Sequence, residues 1–117
     1  MKTALLTICV CLAACSQQDW RAQAIANAEQ NIKDDVGDPS AQFSRVQVTG
    51  DDSTGQTCGF VTAKSSGNAP AQATRFIVYI DNTAGPYVES GIGTHPLTSS
   101  DFENAWQSDC LREGYKS

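Results

Sequence analysis

The stretch TRFIVYI, residues Thr74–Ile80, determines the predicted fold class of this chain. Every residue in it except Arg75 is β-branched or aromatic, and such side chains favour the extended backbone of a β-strand. The run is uninterrupted by Gly or Pro, which is typical of a central strand. We therefore expect residues 74–80 to lie inside a sheet.

Three further extended segments surround this strand. They are Gln42–Val48, Gln56–Lys64 and Tyr87–Ile92, separated by turn-rich connections at residues 49–55, 65–71 and 81–85. In the first segment the apolar residues change phase between Phe43 and Val46, which predicts a β-bulge. In the second, Cys58 and Phe60 share one face while Val61 lies on the other. The short connections favour an antiparallel meander.

Residues 18–36 are predicted to form an amphipathic helix. Apolar residues recur at three- and four-residue spacing, at Trp20, Ala24, Ile25, Ala28, Ile32 and Val36. Ser16 and Asp19 have the spacing of an N-terminal capping box, and Gly37 with Asp38-Pro39 supplies the end of the helix. Acidic residues follow the stripe where a membrane-surface helix would carry lysine and arginine, so we interpret the stripe as core.

A second helix is predicted to begin at Ser99 or Ser100. Ser100 and Glu103 have capping-box spacing, and the apolar stripe consists of Phe102, Ala105, Trp106 and Cys110. The predicted fold class is therefore α+β, with an N-terminal helix, a four-stranded antiparallel meander, a C-terminal helix and one disulfide. We expect these elements to form one small two-layer domain.

The N-terminus is predicted to be a bacterial lipoprotein signal. Met1-Lys2 supplies positive charge, Thr3–Leu12 supplies ten mostly apolar residues, and Leu12-Ala13-Ala14-Cys15 matches a lipobox. The apolar run is shorter than the ~20 residues of a spanning helix. We therefore expect residues 1–14 to be a cleaved signal peptide and residues 15–117 to be a single lipid-anchored domain.

Cys15 is the predicted site of lipidation. Cys9 and Cys11 follow bulky residues, whereas the signal peptidase requires small ones before the cysteine. The resemblance to bacterial lipoproteins implies a diacylglycerol thioether and an acylated amino group, such as a palmitate amide, which together hold a protein stably on a bilayer. Ser16 replaces the aspartate that resembles an inner-membrane retention signal. The predicted location is the cell envelope, on the periplasmic side of the outer membrane rather than on the inner membrane.

Cys58 and Cys110 are the cysteines that remain after lipidation of Cys15, and we predict that they form a disulfide. The periplasm is oxidising, which favours pairing. Closing a loop of this length contributes about 4 kcal/mol in the chain-entropy model. A reactive or metal-binding thiol pair is the alternative, but the sequence has no C-x-x-C spacing and no histidine beside either cysteine.

The charge balance excludes one class of partner. Without Lys2, seven basic residues face thirteen acidic ones, giving the mature chain a formal charge of −6. This acidic surface excludes nucleic-acid binding. It is consistent either with solubility alone or with attraction to a cationic partner.

The sequence predicts no catalytic residue, no metal site and no cofactor. The single histidine, His95, lies in Gly93-Thr94-His95-Pro96 without a Gly-x-Ser-x-Gly motif, so we interpret it as an exposed loop residue. Two acidic clusters, Asp34, Asp35 and Asp38 and then Asp51 and Asp52, lack the spacing of a calcium loop. We interpret them as a helix end and a solvated turn.

Three segments resemble a known group of proteins. They are Asp38-Pro39-Ser40-Ala41-Gln42-Phe43, Cys58-Gly59-Phe60-Val61-Thr62-Ala63-Lys64 and Arg75-Phe76-Ile77, with Val46 and Val48 between the first two. The chain resembles small uncharacterised bacterial envelope lipoproteins with an acidic-Pro-x-Ala-x-Phe start and a Cys-Gly-x-Val-x-Ala-Lys strand. It departs from them at Phe60, where Glu is usual, and at Thr62, where Asn is usual. The resemblance implies no activity.

The predicted function is that of a lipid-anchored periplasmic binding or accessory protein with an envelope protein as its partner. Alternatives are an inhibitor of a cationic hydrolase such as lysozyme, a phage or conjugation exclusion lipoprotein, and a small hydrolase. The residues predicted to form an interaction surface are Lys64, Tyr87 and Tyr115. The other interpretation of these three is partial burial at the sheet edge or a frayed tail.

Overall fold

The computed structural model describes residues 11–64, 72–89 and 93–116. Its elements are α1 (Cys11–Val36), β1 (Gln42–Thr49), β2 (Gln56–Thr62), β3 (Ala73–Tyr79), β4 (Tyr87–Val88) and α2 (Ser99–Ala105), the last continued by a π-helical segment at Trp106–Leu111. The predicted α+β class is confirmed. The first ten residues of the predicted signal peptide, the 65–71 connection and residues 90–92 of the predicted fourth strand lie outside the described residues.

Helix α1 begins earlier than predicted and ends where predicted. Ser16 lies inside the helix, so the predicted capping box at this residue is wrong in the uncleaved chain. At the other end, Gly37 adopts a left-handed φ of 69°, and the Asp38 N–H donates to the Lys33 carbonyl at 3.0 Å. This arrangement is a Schellman-type C-cap, for which glycine is favoured because it has no Cβ.

The four strands form an antiparallel sheet in the order β1-β2-β3-β4, which confirms the meander. The pairing of β1 with β2 shifts between Ser44 and Gln47, and the predicted bulge is therefore confirmed. Strand β4 ends at Val88, before the end predicted for it. Strand β2 also ends early, since the Lys64 N–H donates to the Asp38 carboxylate at 2.8 Å instead of to a neighbouring strand.

Helix α1 covers one face of the sheet with aliphatic contacts. The buried residues of this cluster, which we call the α1 face, are Ala28, Ile32, Ala41, Val61, Ala63, Phe76, Val78 and Val88. Gly59 permits close packing here, because a Cβ at this position would lie 3.0 Å from the Val46 Cα. Phe43 closes the cluster with an edge-to-face contact to Phe76 at 5.7 Å.

The C-terminal helix covers the opposite face of the sheet. The buried residues of this cluster, which we call the C-terminal face, are Cys58, Ile77, Phe102, Trp106, Cys110 and Tyr115. Adjacent β3 residues Phe76 and Ile77 belong to different clusters, because side chains alternate along a strand. The domain therefore has three layers, helix, sheet and helix, and the predicted two-layer arrangement is wrong.

The predicted disulfide between Cys58 and Cys110 is confirmed, with 6.1 Å between the two Cα atoms. It joins β2 to the π-helical segment.

The predicted cap of α2 is wrong, because Thr98 is the N-cap and its hydroxyl accepts a hydrogen bond from the Asp101 N–H at 3.0 Å. Glu103 contacts Arg75 instead of completing a capping box with Ser100.

Candidate functional site

A cleft of about 330 Å³ lies where α1 passes over the end of the β2–β3 pair, and we call it the α1 cleft. Its floor is formed by the buried residues Ala28, Thr57 and Val78. Thr57 and Val78 are directly opposite each other in the sheet, so both side chains point towards α1. The floor therefore combines two apolar side chains with one hydroxyl.

The rim of the α1 cleft is built from carboxamides. Asn27, Gln30 and Asn31 line it from the helix, and Asn82 lines it from the turn after β3. Gln30 donates to the Asp34 carboxylate at 3.0 Å. The side chains of the three asparagines make no hydrogen bond to another described residue, so their donors and acceptors are available to a ligand. Among the described residues, no charged side chain lines the cleft.

The local sequence explains why this cleft forms. Residues 24, 27, 28 and 31 have the three- and four-residue spacing that places side chains on one side of a helix. Small side chains at Ala24 and Ala28 leave space between helix and sheet. On the opposite rim, Asn82 has a left-handed φ of 58°, a conformation that asparagine tolerates better than most residues.

The hydroxyl of Thr57 is the polar group on the floor of the cleft. The residue is only 1% exposed, and it lines the floor together with Ala28 and Val78. Among the described residues, the buried side-chain oxygen that lacks a hydrogen-bond partner is that of Thr74, not that of Thr57. A ligand that enters the cleft would lie beside the Thr57 side chain.

On the other side of the sheet, Arg75 is the centre of an ion-pair cluster. Its guanidinium donates to the carboxylate of Glu89 at 2.6 Å and to that of Glu103 at 2.8 Å. The same guanidinium stacks on two aromatic rings, with its Cζ 5.3 Å from the ring centroid of Phe102 and 5.1 Å from that of Trp106. Hydrogen bonding from Arg75 lowers the pKa of both carboxylates and raises the pKa of Arg75 itself. The cluster attaches α2 to β3 and β4.

The structure does not bring the three predicted surface residues together. Lys64 is exposed and Tyr87 is half-buried against Tyr79, with 6.2 Å between their ring centroids. Tyr115 is only 4% exposed, and its hydroxyl donates to the Arg45 carbonyl at 2.8 Å. Tyr115 therefore belongs to the core and not to a surface or a frayed tail. Its ring centroid lies 4.9 Å from that of Trp106, and this edge-to-face contact explains its burial.

His95 and Asp35 join the end of α1 to the loop before α2. The Asp35 carboxylate accepts hydrogen bonds from the Thr94 hydroxyl at 2.5 Å and from the Thr94 N–H at 3.2 Å. His95 Nδ1 lies 3.4 Å from the same carboxylate, and the imidazole is 48% exposed. The side chain of Asp35 is only 4% exposed. It is therefore a structural acceptor at the C-terminal end of α1, the helix end to which the sequence analysis assigned it.

The other acidic residues also satisfy backbone donors. Asp38 accepts hydrogen bonds from Ser40 and from the Lys64 N–H, and these bonds lower its pKa. Asp51 accepts from the Thr54 and Ser53 N–H groups, which lowers its pKa to about 2. Within residues 11–64, 72–89 and 93–116, no group of three or more His, Cys, Asp or Glu side chains could hold a metal ion.

Comparison with known proteins yields no relative. No family model, no curated protein and no solved structure matches the chain. None of the helices in the described part of the chain is long and apolar enough to cross a membrane.

The prediction from sequence did not include the α1 cleft. The pattern Ala24-x-x-Asn27-Ala28-x-x-Asn31 predicts core positions at its two alanines, and the sequence analysis gave its two asparagines no role. The signal that could have indicated the cleft is the pairing of small apolar residues with asparagines along the same edge of one helix. The contribution of Thr57 and Asn82 depends on strand register and turn conformation.

Proposed function

We propose that this chain is a lipid-anchored binding protein of the bacterial cell envelope, attached through Cys15 to the periplasmic side of the outer membrane. The observation that carries the proposal is the lipobox Leu12-Ala13-Ala14-Cys15 directly after a short apolar run. In the uncleaved chain, α1 runs from Cys11 to Val36 without a break. Cys15 lies within it. The lipid attachment site and the domain are therefore parts of the same helix.

A continuous helix limits how far the domain extends from the membrane. At 1.5 Å per residue, the helix positions that line the α1 cleft, Ala24 to Asn31, lie about 14 to 24 Å along the axis from Cys15. A flexible linker of the same number of residues would leave the position and orientation of the domain undefined. The proposed anchor therefore holds the cleft close to the lipid headgroups and restricts binding to ligands near the membrane.

The described residues favour binding over catalysis. Several charged side chains have structural partners: Asp38 and Asp51 accept hydrogen bonds from backbone N–H groups, and Arg75 is paired with two glutamates. The α1 cleft presents neutral carboxamides and one hydroxyl. Such groups recognise a ligand by hydrogen bonding, whereas general acid–base chemistry requires a titratable group in contact with the substrate.

The anchor is tested by fractionating cells that express Cys15→Ala. This variant is expected to leave the membrane fraction, because acylation requires the thiol. The matched control is Cys11→Ala, which removes a cysteine of the predicted signal and should leave the protein in the membrane fraction. Equal sedimentation of both variants with the envelope would contradict the proposal.

The binding function is tested by cross-linking in living cells. A photoreactive amino acid at Asn27 probes the rim of the cleft, and the same residue at exposed Asn104 of α2 is the control. We expect a reproducible envelope component at Asn27 and not at Asn104. Capture of a cationic hydrolase would instead support an inhibitor, and capture of a phage or conjugation protein would support exclusion.

A further inference from the structure

The α1 cleft has a lining that selects a particular class of ligand. Among the described residues, its side chains are carboxamide, hydroxyl and apolar groups, without a charge. We propose that the α1 cleft binds a neutral N-acetylated amino sugar. This inference rests on the proposed binding function, and it adds the chemical class of the ligand.

The rim fits a sugar because each carboxamide offers both a donor and an acceptor. Sugar hydroxyls also donate and accept, and neighbouring hydroxyls on a ring present both roles side by side. Asn27, Asn31 and Asn82 surround the opening from two sides and make no side-chain hydrogen bonds to other described residues. A charged ligand would lose hydration without gaining an opposite charge, which is costly.

The floor fits an acetamido group. The Thr57 hydroxyl can donate to the acetamido carbonyl, while Ala28 and Val78 contact its methyl group. A volume of about 330 Å³ lies at the lower end of the ~300–1,000 Å³ typical of ligand pockets. The cleft therefore accommodates one sugar unit and not an extended oligosaccharide.

One further observation favours a sugar over a peptide. Peptides that bind at sheets pair with unpaired backbone groups, but β2 and β3 are already paired with each other beneath the cleft.

The test uses the lipidated protein purified from membranes in detergent, titrated with tri-N-acetylchitotriose. Cellotriose is the matched control, since it is neutral and has the same linkage but lacks acetamido groups. We expect binding of the first sugar only. Equal binding of both sugars, or binding of neither, would overturn the proposal, whereas release of Cys15→Ala from the membrane would still support the anchored protein.

Variants of the cleft separate recognition from folding. Thr57→Val should weaken binding of tri-N-acetylchitotriose roughly tenfold. Its unfolding midpoint is measured beside the affinity, so that a loss of recognition is distinguished from a folding defect. Asn82→Ala should also weaken binding, while Asn104→Ala on the opposite helix should leave the affinity unchanged. Equal affinities for Thr57→Val and Asn104→Ala would contradict the assignment.

The same sugar chemistry has two sources near this membrane, the glycan of the cell wall and a glycolipid headgroup. Cosedimentation with purified cell-wall sacculi, competed by free tri-N-acetylchitotriose, tests the first source. Flotation with phospholipid vesicles that contain an N-acetylglucosamine-headed lipid tests the second. Binding in either arm supports the proposal and identifies the source, and binding in neither arm overturns it.

Discussion

The two faces of the sheet are stabilised in different ways. The α1 face is covered by aliphatic side chains, with Ala28 and Ile32 as the fully buried contribution of the helix. The C-terminal face combines a disulfide, a cluster of aromatic rings and the ion pairs of Arg75. The first face is closed mainly by apolar burial, while the second adds a covalent link and an ion-pair cluster.

This difference indicates that the two faces of the sheet have different roles in this small domain. A chain of this size has a limited core, so an additional link on one face contributes a large share of its stability. The C-terminal face supplies that link. The α1 face is then free to keep a cleft between helix and sheet, which gives up some apolar contact but can serve binding.

The largest expected effect comes from removing the covalent link of the C-terminal face. Replacing both Cys58 and Cys110 by Ala opens a loop of 52 residues and should lower the free energy of unfolding by about 4 kcal/mol. Urea unfolding of the variant and the parent measures this change. A loss below about 1 kcal/mol would show that packing, and not the disulfide, holds this face.

The next effect tests whether the α1 face depends on burial. Ile32→Ala should lower the free energy of unfolding by about 3 kcal/mol, because Ile32 is fully buried and its truncation leaves a cavity. Ile25→Ala is the matched control, and this half-buried residue should cost about 1 kcal/mol. Similar losses at the two positions would contradict the assigned orientation of α1.

A smaller effect is expected from the polar contacts of the C-terminal face. Arg75→Met keeps an apolar stem but removes the cation from Glu89 and Glu103, and should cost about 2 kcal/mol at neutral pH. The partial exposure of both glutamates limits the loss.

The same variant has a defined dependence on pH. The pKa of Glu89 is lowered in the folded protein from its usual 4.5, mainly by the hydrogen bond from Arg75. This contribution to stability is therefore complete above pH 4.5 and is lost as the pH falls through the lowered pKa. Urea unfolding should show the difference between parent and Arg75→Met shrinking in acid. A constant difference would contradict the role of these ion pairs.

The smallest predicted effect concerns the start of α2. Thr98→Ala removes the hydroxyl that accepts the Asp101 N–H and should cost about 1 kcal/mol. Ser100→Ala removes the residue that the sequence pattern indicated as the cap, and it should have almost no effect. Thermal unfolding of the two variants separates these outcomes, and the reverse order would restore the capping box at Ser100 and Glu103.

Local patterns in the sequence were sufficient to predict the strands, the bulge and the C-terminal end of α1. The β-branched run at 74–80 and the phase change after Phe43 are properties of neighbouring residues, and the structure confirms both. The disulfide followed from the small number of cysteines left after the predicted signal and from the expectation of an oxidising compartment. These features require no knowledge of how distant elements pack.

The features that sequence reasoning missed depend on contacts between distant residues. Glu103 had the spacing of a capping box, but it pairs with Arg75, which is 28 positions away in the chain. Tyr115 was predicted to lie at an interaction surface, with partial burial at the sheet edge or a frayed tail as the alternative. It is only 4% exposed, and its hydroxyl reaches the Arg45 carbonyl at the bulge. The α1 cleft likewise depends on how far the helix lies from the sheet, a distance that no local pattern specifies.

The most direct test of these different roles of the two faces is a ¹⁵N–¹H NMR titration of the protein, expressed from its full chain and kept in detergent micelles, with tri-N-acetylchitotriose. We predict saturable shifts of the amide signals of Asn31, Thr57 and Asn82 on the α1 face. The amide signals of Phe102 and Trp106 on the C-terminal face should remain in place. Shifts centred on the C-terminal face, or no saturable shift at Thr57, would contradict the account.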